Sequence, residues 1–262
     1  MTARAVADGH SEQSGPERAR LLVVVAVPAE AAAVLRGLPG GAHALPLPLP
    51  GGELHRAGAV DVLAGGVGPA AAAAGASAAL SAHHHGAHRY GLVVSAGIAG
   101  GFAPHAPVGA TVVADAIVAA DLGAETPEGF ADVAELGFGT ARHTPPPAAV
   151  ALAARALGAV TGPVLTVSTV TGSAERAAAL TARHPGAAAE AMEGFGVAEA
   201  AARFGVPALE LRTVSNPVGP RDRAAWRIGD ALAALERAFA ALPVPALVET
   251  LAEALTEEAG RG

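Results

Sequence analysis

The sequence has 262 residues, of which 52% are hydrophobic, and a formal net charge of -7 at pH 7. This length suffices for one large α/β domain or two small ones. The negative charge and the lack of a dense Lys/Arg run argue against binding to nucleic acids or to an anionic membrane surface. The chain has no cysteine, which excludes disulfides and thiol chemistry and fits a cytoplasmic protein.

The beginning of the chain is polar and mixed in charge, so we expect residues 1–19 to form a disordered extension. The apolar run that follows, residues 21–28, ends in proline and is too short for a signal peptide, so it predicts a first buried strand. No run reaches the length of about 18 apolar residues that a transmembrane helix needs, and we expect no membrane span.

Predicted strands and helices alternate along the rest of the chain. Runs of β-branched and other apolar residues predict strands at 21–27, 53–57, 59–64, 92–95, 111–114, 162–169 and 207–215. Segments rich in alanine predict helices at 28–37, 69–85, 147–158, 174–184, 192–204, 222–241 and 246–259. Segments 39–52 and 121–147 are rich in proline and glycine and are predicted to be irregular. The alternation predicts an α/β fold of three layers, with helices on both faces of a mixed, mostly parallel, twisted sheet, and we assign residues 20–260 to one domain.

Two glycine-rich segments, 65–68 and 97–101, follow predicted strands and are interpreted as turns. Glycine lets backbone N–H groups approach a ligand closely. Neither segment has the Lys-Ser/Thr ending of a phosphate-binding loop, and the first has Ala71 where a dinucleotide fingerprint needs its third glycine. Tight packing and ligand binding remain equally open for both.

A Met-Glu pair, Met192 and Glu193, opens an otherwise apolar segment. Burying a carboxylate without a polar partner is expensive, and the vicinal hydroxyls of a sugar would be suitable partners. The alternative is that Glu193 only marks a helix N-terminus, where a negative charge is favourable.

Polar residues follow the last predicted strand, where open α/β sheets usually bind ligands. Asn216 is the most informative of them, because an amide both donates and accepts hydrogen bonds. It can therefore bind the N7/O6 edge of a 6-oxopurine. The alternative is a turn role, since Asn216 precedes Pro217.

The histidine cluster formed by His83, His84, His85 and His88 invites interpretation as a metal site. Consecutive helical positions point about 100° apart, so these side chains do not converge on one ion. A solvated helix end is the better interpretation, because histidine suits the negative C-terminal dipole.

The order of these motifs resembles the nucleoside phosphorylase/nucleosidase superfamily. The matching segments are 25–30, 66–69, 95–101, 191–194 and 212–216, and the similarity spans roughly residues 20–245. Within the superfamily, segments 215–226 and 228–232 are most similar to the futalosine hydrolase family. The resemblance implies release of hypoxanthine from futalosine in the alternative route to menaquinone, without cofactor or metal, by a homo-oligomer (a dimer or larger).

The resemblance also implies roles for ten residues. Glu30 matches the carboxylate that deprotonates the attacking water, although an exposed Glu in a first helical turn is the alternative. Asn216 matches the catalytic group at the base, and Asp222 is expected to orient Asn216 or Arg221 or to replace a missing acid. The remaining residues match substrate contacts of the ribose and the purine, and they are Ala99, Gly100, Val170, Thr171, Met192, Glu193 and Ser215.

The implied mechanism is a dissociative displacement in which the ribose becomes cationic while the purine gathers negative charge. Three alternatives remain. A purine nucleoside phosphorylase would need phosphate donors, for which Arg56 and Ser95 are candidates. A methylthioadenosine/S-adenosylhomocysteine nucleosidase is disfavoured, because that family has Asp where this chain has Asn216. A non-catalytic nucleoside-binding module would not need Glu30.

Overall fold

The computed structural model describes residues 19–84 and 89–259. The expected N-terminal extension therefore lies almost entirely outside the described residues, as do His85 and His88. Twelve strands are present within these ranges, namely β1 Arg20–Val25, β2 Leu45–Leu49, β3 Gly52–Ala57, β4 Val60–Ala64, β5 Tyr90–Gly101, β6 Thr111–Ala119, β7 Gly123–Thr126, β8 Gly129–Asp132, β9 Arg142–His143, β10 Val160–Thr166, β11 Ala189–Ala191 and β12 Ala208–Pro217. The α-helices are α1 Pro28–Gly37, α2 Pro69–His84, α3 Pro147–Leu157, α4 Ala174–Arg183, α5 Gly194–Arg203, α6 Ile228–Ala241 and α7 Val244–Ala259.

One ten-stranded sheet forms the centre of the fold, with the order β11-β10-β6-β12-β5-β1-β4-β3-β2 and with β9 beside β6. Strands β12, β5, β1 and β4 run parallel to one another. Strand β11 also pairs with the far end of β5, so β5, β12, β6, β10 and β11 close into a ring. Hairpin β7–β8 lies outside this sheet.

The first strand shows why the protein has three layers. Leu21, Val23 and Val25 belong to a core cluster shared with α1, α3, α6 and α7. The alternate residues Leu22 and Val24 belong to a second cluster shared with α2 and α5. Because successive side chains of a strand point to opposite faces, β1 is buried on both sides. The predicted α/β architecture is confirmed.

Five strands lie where the sequence predicted none. Strands β7, β8 and β9 fall inside segment 121–147, which was predicted to be irregular. Strand β2, Leu45–Leu49, alternates leucine with Pro46 and Pro48 inside the other segment predicted to be irregular. Proline cannot donate to a sheet ladder, so such a strand is tolerated only at an edge, and β2 is the last strand of the sheet. Strand β11, Ala189–Ala191, has only three residues, too few for a sequence pattern.

Strand β5 continues through the glycine-rich segment 97–101 that we had interpreted as a turn. That interpretation is wrong, because β12 runs alongside it from Val93 to Gly101 and supplies the partners of an extended backbone. The other glycine segment is a turn after β4, and Gly66 and Gly68 have φ values of 100° and 90°. Only glycine adopts such values without strain.

Of the two C-terminal helices, α6 begins later than predicted and α7 begins slightly earlier. Helix α6 starts at Ile228, and residues Arg223–Ala225 form a short 3-10 helix instead. Among the described residues, no single helix is long and apolar enough to cross a membrane. Helix α6 and Val244–Leu251 together meet that length and composition, but they are bent by 63° at the break between them. Both contribute buried residues to the larger core cluster, Leu235 and Leu247 among them.

Candidate active site

A cleft of about 240 Å³ opens where the ends of β1, β5 and β12 meet the start of α5. This is the edge at which parallel sheets usually bind ligands. Nine of the ten residues singled out in the sequence line this cleft, namely Glu30, Ala99, Gly100, Val170, Thr171, Met192, Glu193, Ser215 and Asn216. Asp222 does not line it. Glu190, Arg221 and Trp226, which we did not predict, do.

Glu30 is buried, with only 3% of its surface exposed, so the exposed-glutamate alternative is wrong. Pro28 begins α1 directly after β1, which turns the first helical turn toward the cleft. Oε2 accepts hydrogen bonds from the N–H groups of Ala26 at 3.0 Å and Val27 at 3.2 Å, and Oε1 accepts one from Ile98 at 2.9 Å. Burial raises the pKa of Glu30, although these donors and Arg212 oppose the rise.

Glu193 occupies the N-cap position of α5, yet its side chain makes no capping hydrogen bond. It turns instead toward the cleft. Its Oε1 accepts from the N–H of Gly68 at 3.1 Å, and its Oε2 accepts from Arg212 Nη1 at 3.3 Å. Both sequence-based alternatives therefore describe part of the geometry, because Glu193 begins a helix and also lines the cleft. The glycine turn after β4 supplies one of its donors.

Arg212 is the buried cation behind these carboxylates, and its role was not predicted from the sequence. It is fully buried. Its Nε donates to Glu210 Oε1 at 2.9 Å, and its Nη2 donates to Ser95 Oγ at 3.0 Å. Burial alone would lower the pKa of Arg212, but Glu210, Glu193 and Glu30 hold it above its ordinary value. Residues two apart on a strand share one face, so the spacing of Glu210 and Arg212 in an apolar strand was the available signal.

Glu210 is completely buried beneath the start of α5. Within the described residues its Oε2 has no hydrogen-bond partner, and burial raises the pKa of Glu210 to about 7 against the partial opposition of Arg212. Glycine at position 194 makes room for this carboxyl group, because a Cβ on Gly194 would lie 2.2 Å from Glu210 Oε2.

For the second glycine segment, the sequence left tight packing and ligand binding open, and the surroundings of Gly97 favour packing. A Cβ on Gly97 would lie 2.5 Å from Glu30 Oε1 and 3.0 Å from Arg212 Nη1. The carboxylate of Glu30 and the guanidinium of Arg212 therefore meet over this backbone, and glycine is required here for close packing around charged groups.

The amide of Asn216 is held in one orientation by its neighbour. The hydroxyl of Ser215 lies 2.8 Å from Asn216 Oδ1 and 3.2 Å from the carbonyl oxygen of Ala99. Because Oδ1 faces a hydroxyl donor, the NH₂ group takes the other side, where it donates to the Pro217 carbonyl at 3.0 Å. An NH₂ group has two protons, so one remains to be donated into the cleft.

Asp222 makes no hydrogen bond to Asn216 or Arg221 in the described part of the chain. Its side chain accepts a hydrogen bond from the N–H of Ala224 at 3.1 Å and caps the short 3-10 helix that follows. It is exposed. Aspartate is a favoured capping residue, which is sufficient reason for its position in the sequence.

Thr171 and Glu190 form a polar pair on the wall of the cleft. The N–H of Thr171 donates to Glu190 Oε1 at 2.8 Å, and its hydroxyl donates to Oε2. Glu190 is 5% exposed, and burial raises the pKa of its carboxyl group while the two bonds from Thr171 oppose that rise. The adjacent Val170 is more exposed and also lines the cleft.

The candidate phosphate donors, Arg56 and Ser95, do not line the cleft. Arg56 donates from Nε and Nη2 to the carboxylate of Asp61, at 2.9 and 2.8 Å, outside the cleft. Although burial opposes it, hydrogen bonds from Arg56, Arg20 and Tyr90 hold the pKa of Asp61 at about 2. Ser95 accepts from Arg212.

The histidine cluster shows no metal-binding geometry in the part of the chain that the structure describes. The ring of His83 lies 5.1 Å from that of Tyr90, and its Nδ1 is 3.0 Å from the Ala79 carbonyl oxygen. Across residues 19–84 and 89–259, no group of three or more His, Cys, Asp or Glu side chains is placed to hold a metal ion.

Comparison with known proteins identifies the family of this chain. The phosphorylase superfamily model matches residues 20–249, and the chain belongs to that superfamily. Within it, the chain belongs to the futalosine hydrolase family. It is 64% identical to the futalosine hydrolase of Streptomyces coelicolor over 85% of this chain and 94% of that protein. It is 49% identical to that of Acidothermus cellulolyticus over 84% of this chain and 89% of that protein.

A solved structure gives the same fold at lower identity. The methylthioadenosine/S-adenosylhomocysteine nucleosidase of Colwellia psychrerythraea, solved in complex with adenine, superposes with a TM-score of 0.68. It is 23% identical, and the match covers 90% of this chain and 96% of that chain.

Proposed function

We propose that the protein hydrolyses the N-glycosidic bond of futalosine and releases hypoxanthine and dehypoxanthine futalosine, a step of the alternative route to menaquinone. One observation carries the proposal. Glu30, Glu193 and Asn216 come from three separate elements and line one cleft, in a chain that is 64% identical to a futalosine hydrolase.

Glu30 is the proposed general base. Three backbone N–H groups fix its carboxylate, and two carboxylate oxygens offer about four acceptor positions. One position therefore remains for a water molecule in the cleft. Burial raises the pKa of Glu30, which makes the carboxylate a stronger base than an exposed glutamate. General base help of this kind is typically worth about 10²–10⁴-fold in rate.

Glu193 is the proposed ribose ligand. Gly68 donates to Oε1, and Arg212 and the N–H of Met192 donate to Oε2, so the carboxylate is held in place with one acceptor position left for a ribose hydroxyl. Its negative charge also becomes more favourable as the sugar acquires cationic character, since stabilisation is greatest where charge develops. Met192, the preceding residue, is proposed to pack on the sugar.

Asn216 is the proposed contact to the leaving base. Its NH₂ group is aimed by Ser215 and can donate to N7 or O6, where a departing 6-oxopurine gathers negative charge. A neutral donor suits a 6-oxopurine, because this base leaves more readily than adenine. Ala99, Gly100, Val170 and Thr171 are proposed to enclose the purine.

Hydrolysis is favoured over phosphorolysis by the charge of the cleft. Glu30, Glu190 and Glu193 line it, and Arg221 is the only cationic side chain among the described lining residues. Binding a phosphate dianion would require a surplus of cationic and neutral donors. The expected donors Arg56 and Ser95 do not line the cleft.

We also propose that residues 20–260 act as one domain and that the protein works in the cytoplasm as a homo-oligomer. Exposed apolar side chains around hairpin β7–β8 support the assembly. Leu122, Leu136 and Phe138 are 46%, 38% and 81% exposed. Large exposed apolar groups close together favour burial against another surface, and a second copy of the chain is the proposed partner.

The decisive experiment incubates purified protein with futalosine, methylthioadenosine and inosine, each with and without phosphate. We expect hypoxanthine from futalosine at a rate that phosphate does not change. Release that requires phosphate would identify a phosphorylase, and faster cleavage of methylthioadenosine would identify an adenine-releasing nucleosidase. Absence of product from all three substrates would leave only a binding module.

A further inference from the structure

Glu190 is a buried carboxylate in the cleft to which the mechanism above gives no role. The proposed roles of the other two carboxylates are to activate the attacking water, for Glu30, and to bind the ribose, for Glu193. Glu190 lines the same cleft, is 5% exposed and has hydrogen bonds from one residue only, Thr171, in the described part of the chain. Burying a carboxylate costs free energy unless polar groups bind it. We therefore expect a group of the ligand to donate a hydrogen bond to Glu190.

The sheet places Glu190 beside the proposed base contact. Gly100 on β5 pairs with Glu190 on β11 and with Asn216 on β12. Directly paired residues on neighbouring strands project from the same face. Strands are about 4.8 Å apart, so the α-carbons of Glu190 and Asn216 are no more than about 10 Å apart. Gly100 between them has no side chain, and a Cβ there would lie 2.9 Å from Val218 Cγ2 and 3.4 Å from Asn216 Nδ2. Val218, which also lines the cleft, therefore packs against this glycine, with one functional group on each neighbouring strand.

The two flanking groups have opposite hydrogen-bonding characters. Asn216 has its NH₂ group free to donate one proton, as its Oδ1 faces Ser215. Thr171 donates once to each oxygen of Glu190, so the carboxylate keeps further acceptor positions and only accepts while it is ionised. A ligand edge that fits between them must present an acceptor on the Asn216 side and a donor on the Glu190 side.

A 6-oxopurine presents this sequence of groups along one edge, with N7 and O6 as acceptors and N1–H as a donor. A 6-aminopurine presents the reverse at the last two positions, because its amino group donates and its N1 accepts. We propose that Glu190 accepts the N1–H of the 6-oxopurine and is the residue that makes this cleft select a 6-oxopurine over a 6-aminopurine. The proposal rests on the function proposed above.

The expected discrimination is large. A 6-aminopurine would set the N1 lone pair against the carboxylate and leave a buried acceptor without its donor. Sites built around a specific polar contact commonly reject analogues that lack it by about 10⁴–10⁵-fold. Selection by mispaired groups of this kind acts against the wrong ligand as much as in favour of the right one.

The test compares futalosine with its 6-amino-6-deoxy analogue in the wild type and in Glu190→Gln. Glutamine keeps the size of the side chain and, by rotating its amide, pairs with either N1–H or N1. We expect the ratio of kcat/KM values, futalosine over analogue, to fall by roughly 10²-fold or more in the variant. Glu236→Gln is the matched control, because Glu236 pairs with Arg36 on the surface.

Binding of the free bases provides a second readout that does not depend on turnover. Calorimetry with hypoxanthine and adenine should show a strong preference for hypoxanthine in the wild type and a much smaller one in Glu190→Gln. If Glu190→Gln folds, as thermal unfolding would show, and keeps the wild-type preference in both assays, the proposal for Glu190 is overturned while hydrolysis of futalosine stands. If the wild type does not cleave futalosine, the proposed function fails, and the base-binding assay still decides the role of Glu190.

Discussion

Arg212 donates a hydrogen bond from Nη1 to Oε2 of Glu193 over 3.3 Å, and both side chains are buried. The same guanidinium binds Glu210 through Nε. One buried cation therefore supports two carboxylates, and Glu30 lies close by across Gly97. Arginine suits this position because its planar group has five donors in fixed directions.

The first prediction concerns this cation. Arg212→Met should lower the free energy of unfolding by about 3–5 kcal/mol, because removing one partner leaves buried carboxylates uncompensated. Chemical denaturation measures the change. Arg203→Met is the control, since Arg203 pairs with Glu199 at the surface and such pairs contribute about 0–1 kcal/mol. Equal losses in the two variants would show that Arg212 is not the central cation of the cluster.

The second prediction concerns the general base. Glu30→Gln should lower kcat by about 10²–10⁴-fold and change the affinity for hypoxanthine only a few-fold, because glutamine keeps the shape of the side chain. A base must be ionised, so wild-type activity is present above the pKa of Glu30 and is lost as pH falls through it. Since burial raises that pKa above 4.5, the acid limb of the kcat/KM profile should lie above pH 4.5. If Glu30→Gln kept the acid limb of the wild-type profile, that limb would report the titration of another group.

The third prediction separates Asn216 from Asp222. Asn216→Ala should lose most turnover on futalosine, because the leaving purine then lacks its donor. Asp222→Asn should keep near wild-type kcat/KM, since asparagine also caps a helix and Asp222 lies outside the cleft lining. Steady-state kinetics on both variants test this. The reverse order of losses would restore Asp222 as the acid.

The fourth prediction concerns the pH dependence of stability. The pKa of Glu210 is 4.5 in the unfolded reference state and rises to about 7 on burial. Between these values the native state holds a proton that the unfolded chain has released, so this contribution to stability is full below 4.5 and is lost as pH rises through about 7.

When one proton is released, the slope of the unfolding free energy against pH approaches about 1.4 kcal/mol per pH unit. Glu210→Gln cannot ionise and should flatten the fall in unfolding free energy between pH 5 and pH 8, measured by urea denaturation. Glu128→Gln, at an exposed position, should keep the wild-type slope. If Glu210→Gln kept the wild-type slope, a group other than Glu210 would be responsible for the pH dependence.

The fifth prediction concerns assembly. Phe138→Asp places a charge on the most exposed of the apolar side chains around hairpin β7–β8, and it should shift the sedimenting species toward monomer. Val108→Asp, at another exposed apolar position, is the control and should leave the species unchanged. A wild type that sediments as a monomer at micromolar concentration would contradict the proposed homo-oligomer.

The sequence predicted the layers and most of the cleft because both follow from local patterns. Runs such as Leu21–Val25 alternate between two apolar faces, and the motif residues follow strand ends. The roles of Glu190 and Arg212 in the cleft were not predicted, because they depend on contacts between segments that are distant in sequence. No local pattern shows that Glu190 lies beside Gly100, or that Arg212 reaches Glu193. The capping position of Asp222 was not predicted, because the single turn of 3-10 helix that follows it was predicted as part of helix 222–241.

Strand β5 has a further consequence for how this chain can evolve. Its first half lies in the parallel core, and its second half passes beneath the cleft. A Cβ at Gly97, Gly100 or Gly101 would meet neighbouring atoms at 2.5, 2.9 and 2.1 Å. A side chain at any of these three positions therefore requires neighbouring atoms to move. New substrate preferences are accordingly expected to arise mainly by exchange of the side chains that border the cleft from other elements.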